Sequence, residues 1–155
     1  MLELYKPEIE DLWFRQKLLG DEETMSYNRD YGGIVPFPVS RWQSWYDRWL
    51  IADESIRYYR YLKDSESGDF VGEAAYHYDE KLNEYLCDII IHAQFRHKGY
   101  GKEGLDLLCK RAKENELLSL CDTIAIGNPS IVLFIKNGFK EEYRTDEYVF
   151  VRKTL

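Results

Sequence analysis

The sequence predicts an α/β fold in which a mixed central sheet of about seven strands is flanked by about four helices. Apolar residues recur with a helical period in some segments and run together, as in strands, in others. Short polar turns separate three consecutive strands, which indicates an antiparallel meander. The 155 residues suffice for one hydrophobic core, so we expect a single domain over residues 1–155.

The first predicted elements are one strand and two helices. Residues 2–6 predict a short strand, and Pro7 then opens a helix that ends near Gly20. Residues 28–38 contain two glycines and two prolines and predict a loop. Ser40 is expected to cap the second helix, because a glutamine three residues later completes a capping box.

The second helix carries a row of aromatic residues. Trp42, Trp45, Tyr46, Trp49 and Leu50 fall at positions i, i+3, i+4, i+7 and i+8. Such a row is typical of a core-facing surface, and a ligand-binding wall is the alternative.

Three strands and a second α/β segment complete the prediction. The strands lie at residues 57–63, 70–78 and 85–92, and the third contains Ile89-Ile90-Ile91, which indicates burial in the middle of a sheet. The remaining elements are an amphipathic helix through Leu105, Leu108, Cys109 and Ala112, a strand at 121–126, a helix from an Asn128 N-cap and Pro129 to a Gly138 C′ residue, and strands at 139–143 and 148–152.

The composition restricts the classes of function. A net charge of −7 repels phosphate backbones, so nucleic-acid binding is not expected. No apolar run reaches the roughly 18 residues of a membrane span, and no signal peptide is visible, so we expect no membrane partner. Cys87, Cys109 and Cys121 form neither a CxxC motif nor a disulfide framework. We therefore expect buried free thiols and a cytoplasmic location.

The segment from Arg96 to Lys102 is the candidate for chemistry, because it joins a predicted buried strand to a predicted helix. Gly99 and Gly101 let the backbone turn tightly and approach a ligand closely. The first helical turn offers unpaired N–H groups and the positive end of the helix dipole, while Arg96, Lys98 and Lys102 add positive charge. These features predict an anion site suited to a pyrophosphate.

Two alternative roles for this segment stay open. The string Gly99-x-Gly101-x-x-Gly104 matches the fingerprint of nucleotide-dependent oxidoreductases. That fingerprint lies in the first strand–helix unit of a parallel sheet, whereas this segment follows an antiparallel meander. The second alternative is a glycine-containing turn whose basic flank is merely solvated.

The same segment resembles a known family. Arg96-x-x-Gly99-x-Gly101 is similar to the R/Q-x-x-G-x-G/A motif of the GNAT superfamily of acyl-CoA N-acyltransferases. The order of predicted elements resembles that family along essentially the whole chain. A second motif resembles it as well, with Asn128 followed by Phe134 and Gly138-Phe139 at the family's spacing.

The resemblance implies a GNAT-like fold and a binding site for acetyl-CoA, with no metal. Backbone groups of two strand residues would hold the pantetheine arm, amides of the glycine turn would hold the pyrophosphate, and two residues of the second motif would lie along the arm. The cofactor-binding residues implied in this way are Ile89, Ile91, Arg96, His97, Lys98, Gly99, Tyr100, Gly101, Lys102, Asn128 and Phe134.

The chain departs from the family at two catalytic positions. Many members carry a tyrosine as general acid where this chain has Ile135, and some carry a glutamate as base where it has Thr123. The candidate bases are therefore the carboxylates of the central strands, while exposed carboxylates without a role are the alternative. These candidates are Asp88, Glu84 and Glu73, and Tyr143 and Tyr148 are alternative acids.

The resemblance thus implies an N-acetyltransferase that moves an acetyl group from acetyl-CoA to a primary amine of a small molecule or protein by direct attack. The alternative from a different class is a non-catalytic acyl-CoA-binding module, motivated by the two departures. A homodimer through the C-terminal sheet edge is a further expectation. His77, His92 and His97 show no metal-ligand spacing, so no metal site is expected.

Overall fold

The computed structural model describes the backbone of residues 1–155 and the side chains of all of them except residues 29–31. The strands within this described chain are β1 (Leu2–Tyr5), β2 (Arg57–Asp64), β3 (Phe70–Asp79), β4 (Glu84–Ile91), β5 (Ser119–Ala125), β6 (Lys140–Arg144) and β7 (Tyr148–Thr154). The α-helices are α1 (Trp13–Gly20), α2 (Trp42–Trp49), α3 (Tyr100–Glu114) and α4 (Ser130–Lys136). Short 3-10 segments lie at Ile9–Leu12, Thr24–Tyr31, Val39–Arg41 and Ala93–Phe95. The predicted mixed α/β fold with seven strands and four helices is confirmed.

The strands form one sheet in the order β1-β2-β3-β4-β5-β7-β6. β4 lies at its centre, as the isoleucine run predicts, and β2, β3 and β4 form the expected antiparallel meander. β4 and β5 run parallel but pair only where Leu86 faces Cys121. Beyond that pair β4 and β5 form no further ladder pairs, so the sheet opens between their C-terminal halves.

Helices cover both faces of the sheet. α1 and α2 pack on the face that presents Tyr59, Tyr61 and Ala75, while α3 and α4 pack on the opposite face. Trp45, Tyr46 and Trp49 lie against the first face, and Leu50 is fully part of that core, so the aromatic row of α2 is core-facing as predicted. Burial of each large apolar side chain contributes about 1.5–3 kcal/mol.

Two predicted helix starts are wrong. Ser40 lies inside the 3-10 turn Val39–Arg41, and α2 begins at Trp42 without a side-chain cap. The turn forms because Pro38 is extended, with φ −68° and ψ 155°, and its carbonyl accepts a hydrogen bond from the Arg41 amide at 2.8 Å. The first helix likewise starts at Trp13 rather than Pro7, after the 3-10 turn Ile9–Leu12.

Other local predictions are confirmed. The helix predicted after Asn128 is present, although α4 begins at Ser130 with Pro129 at its N-cap, and the Asn128 carboxamide oxygen accepts a hydrogen bond from the Ser130 amide at 2.9 Å. Gly138 follows the α4 C-cap with φ +91°, a left-handed conformation that favours glycine. The three cysteines are buried free thiols. None of the helices in the described chain has the length and apolarity needed to span a bilayer.

Candidate active site

A cavity of about 780 Å³ opens where β4 and β5 diverge. Its walls come from α1, the 3-10 segment Thr24–Tyr31, β3, β4, the glycine turn, β5 and α4. It therefore reaches from the glycine turn to the closed end of the opening, where Leu86 and Cys121 still pair. We call this opening the fork.

The backbone of β4 faces the fork at alternate residues. Ile90 is paired with Glu73 of β3, and the His92 amide donates to the Val71 carbonyl at 2.9 Å. Because hydrogen-bonding direction alternates along a strand, the N–H and C=O groups of Ile89 and Ile91 point away from β3 and toward the fork. Beyond Leu86 these groups have no β5 partner, so they can receive an extended ligand as an added strand would.

The glycine turn forms the far end of the cavity. His97 and Gly99 adopt left-handed conformations, with φ +64° and +85°, and α3 begins immediately afterwards at Tyr100. His97, Gly99, Tyr100 and Gly101 line the cavity, so the amides of the turn and the N-terminus of α3 adjoin it. This arrangement favours an anionic group there.

The basic side chains of the turn behave differently from the sequence expectation. Lys98 and Lys102 do not line the cavity, and the Lys102 ammonium pairs with Asp106 of α3 at 2.9 Å. The Arg96 guanidinium donates to the carbonyls of Glu23 and Thr24 at 3.2 and 2.5 Å. Arg96 thus holds the segment between α1 and α2 while also lining the cavity, and the N-terminus of α3 adds a favourable site for an anion.

The second sequence motif also reaches the cavity. Asn128 and Phe134 both line it. The Asn128 carboxamide donates to the Tyr27 carbonyl at 3.2 Å, and Phe134 is buried against Phe139 with ring centroids 4.9 Å apart. The two motifs therefore meet at one cavity although about 30 residues separate them in sequence.

The three candidate carboxylates lie in different surroundings. Asp88 and Glu73 line the cavity, whereas Glu84 does not. Glu84 lies at the opposite end of β4, where Arg152 of β7 donates two hydrogen bonds to it at 2.6 and 2.8 Å. The prediction that Glu84 is a base at the fork is wrong, because Arg152 holds and neutralises its carboxylate at the other end of β4.

Glu73 belongs to a buried ion pair. Its carboxylate accepts a hydrogen bond from the Arg15 guanidinium at 2.7 Å and another from the Tyr59 hydroxyl. Arg15 also lies over Trp45, with its guanidinium carbon 4.3 Å from the ring centroid. No sequence pattern singles out Arg15, because a lone arginine on a predicted helix is typical of a solvated face.

Asp88 is the carboxylate best placed for proton transfer. It pairs across the sheet with Ala75, on the face covered by α1 and α2, and its side chain is exposed where it lines the cavity. Nearby protein atoms desolvate the carboxyl group, and this desolvation, with the charge of Glu73, raises the pKa of Asp88 to about 7. A ligand in the cavity would cover the exposed side of Asp88 and so strengthen this desolvation.

A second acid at the fork, Asp122 of β5, was not predicted as a site residue. It lines the cavity, and its carboxylate accepts a hydrogen bond from the Thr123 amide at 2.8 Å. Burial, together with the charge of Asp88, raises its pKa well above the ordinary range. The available signal was an acidic residue inside an otherwise apolar strand, which is uncommon unless the residue is paired or functional.

The alternative acids and the histidines lie elsewhere. Tyr143 and Tyr148 contact each other edge-to-face in the β6–β7 hairpin and do not line the cavity. His92 has one ring nitrogen 3.8 Å from the Asp21 carboxylate and the other accepting from the Gln94 amide. Among the described residues, no group of three or more acidic, histidine or cysteine side chains has the arrangement of a metal site.

The sequence profile of the Acetyltransferase (GNAT) family matches residues 16–139. The chain belongs to this family. The resemblance drawn from the two motifs is thereby confirmed, and acyl transfer is the general chemistry of the fold. Among curated protein sequences, none matches the chain.

Solved structures support the same fold. A spermidine N-acetyltransferase from Vibrio cholerae, in complex with CoA and spermine, is 19% identical and superimposes with a TM-score of 0.81 over 99% of this chain and 95% of that one. A ribosomal-protein-alanine N-acetyltransferase from Brucella melitensis is 19% identical, with a TM-score of 0.76 over 100% and 99%. A GNAT-family acetyltransferase from Bacillus anthracis is 18% identical, with a TM-score of 0.76 over 99% and 94%.

Proposed function

We propose that this protein transfers the acetyl group of acetyl-CoA to a primary amine of a small molecule or protein, by direct attack of the amine on the thioester. The observation that carries the proposal is the fork cavity, which joins an anion-ready turn to a carboxylate suited to proton transfer at neutral pH. We treat residues 1–155 as one transferase domain, on the basis of their single continuous sheet. The cytoplasmic location and the homodimer stay predictions.

The cofactor site is proposed on the residues that border the cavity. Amides of His97 to Gly101 at the N-terminus of α3 would hold the pyrophosphate, and the free backbone groups of Ile89 and Ile91 would hold the pantetheine arm. When bound, acetyl-CoA supplies an activated acyl group that a neutral amine can attack. Lys98 and Lys102 are assigned only an electrostatic contribution, since their side chains lie outside the cavity.

The chain's own groups then promote the transfer. Asp88 accepts the proton of the attacking amine, because its pKa near 7 leaves a substantial fraction of it ionised and still basic at neutral pH. A backbone N–H of β4 that faces the fork would stabilise the developing oxyanion. Holding both reactants in one cavity supplies a further large share of the acceleration.

The acceptor is proposed to be cationic before it loses its proton. Asp88 lines the cavity on the face covered by α1 and α2, where Arg15 already neutralises Glu73, and the net charge of the chain is −7. The Vibrio cholerae neighbour binds spermine and the Brucella melitensis neighbour is named for a protein alanine. The first acceptors to test are therefore spermidine, spermine, a peptide with N-terminal alanine, and free amino acids.

The experiment is a calorimetric titration with acetyl-CoA on the wild type, Gly99→Asp and Gly99→Asn. A side chain at Gly99 meets no heavy atom within 4 Å, and both Asp and Asn tolerate its left-handed backbone, so the two variants differ mainly in charge. We expect G99D to bind acetyl-CoA at least about tenfold more weakly than G99N, because the added charge opposes the pyrophosphate. Equal affinities would remove the turn from the cofactor site.

The amine panel follows on the wild type and Asp88→Asn. Turnover with any amine supports the transferase, and D88N should lower kcat by about 10²–10⁴-fold, the usual contribution of a general base. Binding of acetyl-CoA without turnover of any amine would instead favour the non-catalytic acyl-CoA-binding module. NAD(P) binding without acetyl-CoA binding would favour the oxidoreductase.

A further inference from the structure

A second carboxyl group lies at the fork and has no role in the proposed function. Leu86 and Cys121 are the last paired residues of β4 and β5, so Asp122 is the first β5 residue inside the fork and Asp88 is the second β4 residue past the pair. Both line the same cavity. The two carboxyl groups therefore flank the closed end of the opening from different strands.

The two carboxyl groups project from opposite faces of the sheet. Asp88 pairs with Ala75, which belongs to the core under α1 and α2. Asp122 pairs with Val151, which belongs to the core under α3 and α4. Because side chains of directly paired residues share a face, a group lying in the fork would meet Asp88 on one side and Asp122 on the other.

Desolvation and the charge of Asp88 favour the neutral form of the Asp122 carboxyl, and one backbone hydrogen bond favours its ionised form less strongly. The Thr123 amide donates to one carboxyl oxygen, and among the described residues no Lys, Arg or His forms an ion pair with it. The titratable groups that interact with it across the fork are Asp88 and the buried Cys87 thiol, both from β4. Burial without a counter-ion favours the protonated state at neutral pH.

The position that carries an acid in many family members cannot supply one here. It is occupied by Ile135, whose side chain does not line the cavity and is 44% exposed. Tyr100 lines the cavity, but its hydroxyl donates to Asp64 at 2.7 Å. Asp122 is thus an acidic group at the fork with a raised pKa, and within the described part of the chain its carboxyl forms no hydrogen bond with another side chain.

Resting on the proposed acetyl transfer, we infer that Asp122 is the general acid that protonates the departing thiolate, while Asp88 takes the proton of the amine. The amine nitrogen forms the new C–N bond and gives its proton to the Asp88 carboxylate. The C–S bond breaks with its electron pair on sulfur, and the Asp122 carboxyl proton moves to that sulfur. Asp88 then releases a proton to water and Asp122 regains one from water, so both groups return to their initial states.

In this assignment Asp88 acts as the base and Asp122 as the acid, because the two side chains lie in different surroundings within one cavity. The charge of Arg15 and the accessible side of the cavity favour ionisation of Asp88, whose pKa is about 7, whereas the pKa of Asp122 is raised well above its ordinary range. A pair of groups whose environments separate their pKa values in this way is the usual arrangement of an acid and a base in one active site. The chain thereby replaces the family's tyrosine with a carboxylic acid on a different element.

The test compares the pH dependence of kcat for wild type, Asp122→Asn and Asp88→Asn with the best acceptor of the panel. D122N should lower kcat by about 10²-fold and abolish the fall in rate at high pH, whereas D88N should abolish the fall at low pH. D122N with wild-type kcat and an unchanged high-pH limb would overturn the assignment. A wild type that turns over no amine would overturn the transferase itself, which is a distinguishable result.

Two measurements without turnover complete the test. In the wild type, carbon-13 NMR of labelled aspartate should show the Asp122 carboxyl still protonated at pH 7, and an ionised carboxyl there would overturn the assignment whether or not the variant folds. Calorimetry should show that CoA binds D122N more weakly than wild type at pH 9, while desulfo-CoA binds both equally. If D122N loses the same affinity for CoA and for desulfo-CoA, the substitution acts on the structure and the assignment of Asp122 as general acid is contradicted.

Discussion

Gly72 of β3 is the residue whose replacement should damage the fork most directly. A Cβ atom built there would lie 2.2 Å from the Ile90 carbonyl oxygen and 3.1 Å from the Ile91 Cα, both of them backbone atoms of β4. Gly72 lies directly opposite Ile91 in the β3–β4 pairing and beside a register shift between β2 and β3. A larger side chain can therefore be accommodated only if the strand that lines the cavity moves.

The magnitude follows from the distances. Ordinary van der Waals contact begins near 3.4 Å, so the Ile90 carbonyl has to retreat by roughly 1 Å to accept an alanine. Overpacking of this kind costs about 1–3 kcal/mol, and a 1 kcal/mol loss lowers Tm by about 2–4 °C in a domain of this size. We expect Gly72→Ala to melt roughly 2–12 °C below the wild type.

Gly20→Ala is the matched control, since it makes the same chemical change where space is free. No heavy atom lies within 4 Å of a Cβ at Gly20, the last residue of α1, and alanine is the better helix former by up to about 1 kcal/mol. Thermal melts by circular dichroism should place G20A at or slightly above the wild type. Calorimetry should show weaker acetyl-CoA binding for G72A only, and a G72A melt at or above the wild type would refute the steric reasoning.

Two further predictions concern charged groups of the cavity. The folded pKa of Asp88 is about 7 and lies above the unfolded value of about 3.9, so the wild type loses folding free energy as pH rises from 4 to 7. Asp88→Asn lacks this titration. The variant should therefore have the larger free energy of unfolding at pH 8, and the difference should shrink as pH falls from 7 to 4. Urea unfolding across pH measures it, and a constant difference would contradict it. Arg15→Met should cost about 3–5 kcal/mol by leaving Glu73 buried without its cation, and R15M/E73Q should recover much of that loss. The exposed Arg144→Ala is its control and should leave the melting temperature unchanged; a similar loss in R15M and the double variant would argue against the pair.

Much of the fold was predictable because local patterns determine it. The meander follows from three short apolar runs joined by polar turns, and α3 follows from its apolar spacing. The capping box at Ser40 failed because tertiary packing and Pro38 favour a 3-10 turn there, although the local residues suit a cap. Local rules therefore predict the elements and their order more securely than their first residues.

The site was predictable only in part, because the fork is a non-local feature. The glycine turn and Asn128 carry motifs that identify them, but nothing within β4 or β5 alone indicates that the strands separate after one pair. Asp122 is inconspicuous in the sequence for the same reason, since its environment depends on Asp88, 34 positions earlier in the chain. The roles of such residues become visible only when the register between the two strands is known.

The role of Arg96 in the structure differs most from the sequence expectation. In the sequence it adds charge to a phosphate site, whereas its guanidinium is bonded to carbonyls of Glu23 and Thr24 and lies 4.2 Å above the Tyr27 ring. Asn128 bonds to the same segment through the Tyr27 carbonyl. Through these hydrogen bonds the two motif residues hold the segment that lines the cavity between α1 and the fork. The two motifs thus hold the wall of the cavity beside Tyr27 and also form the end proposed to bind the cofactor. This explains how two short sequence patterns can define one cavity.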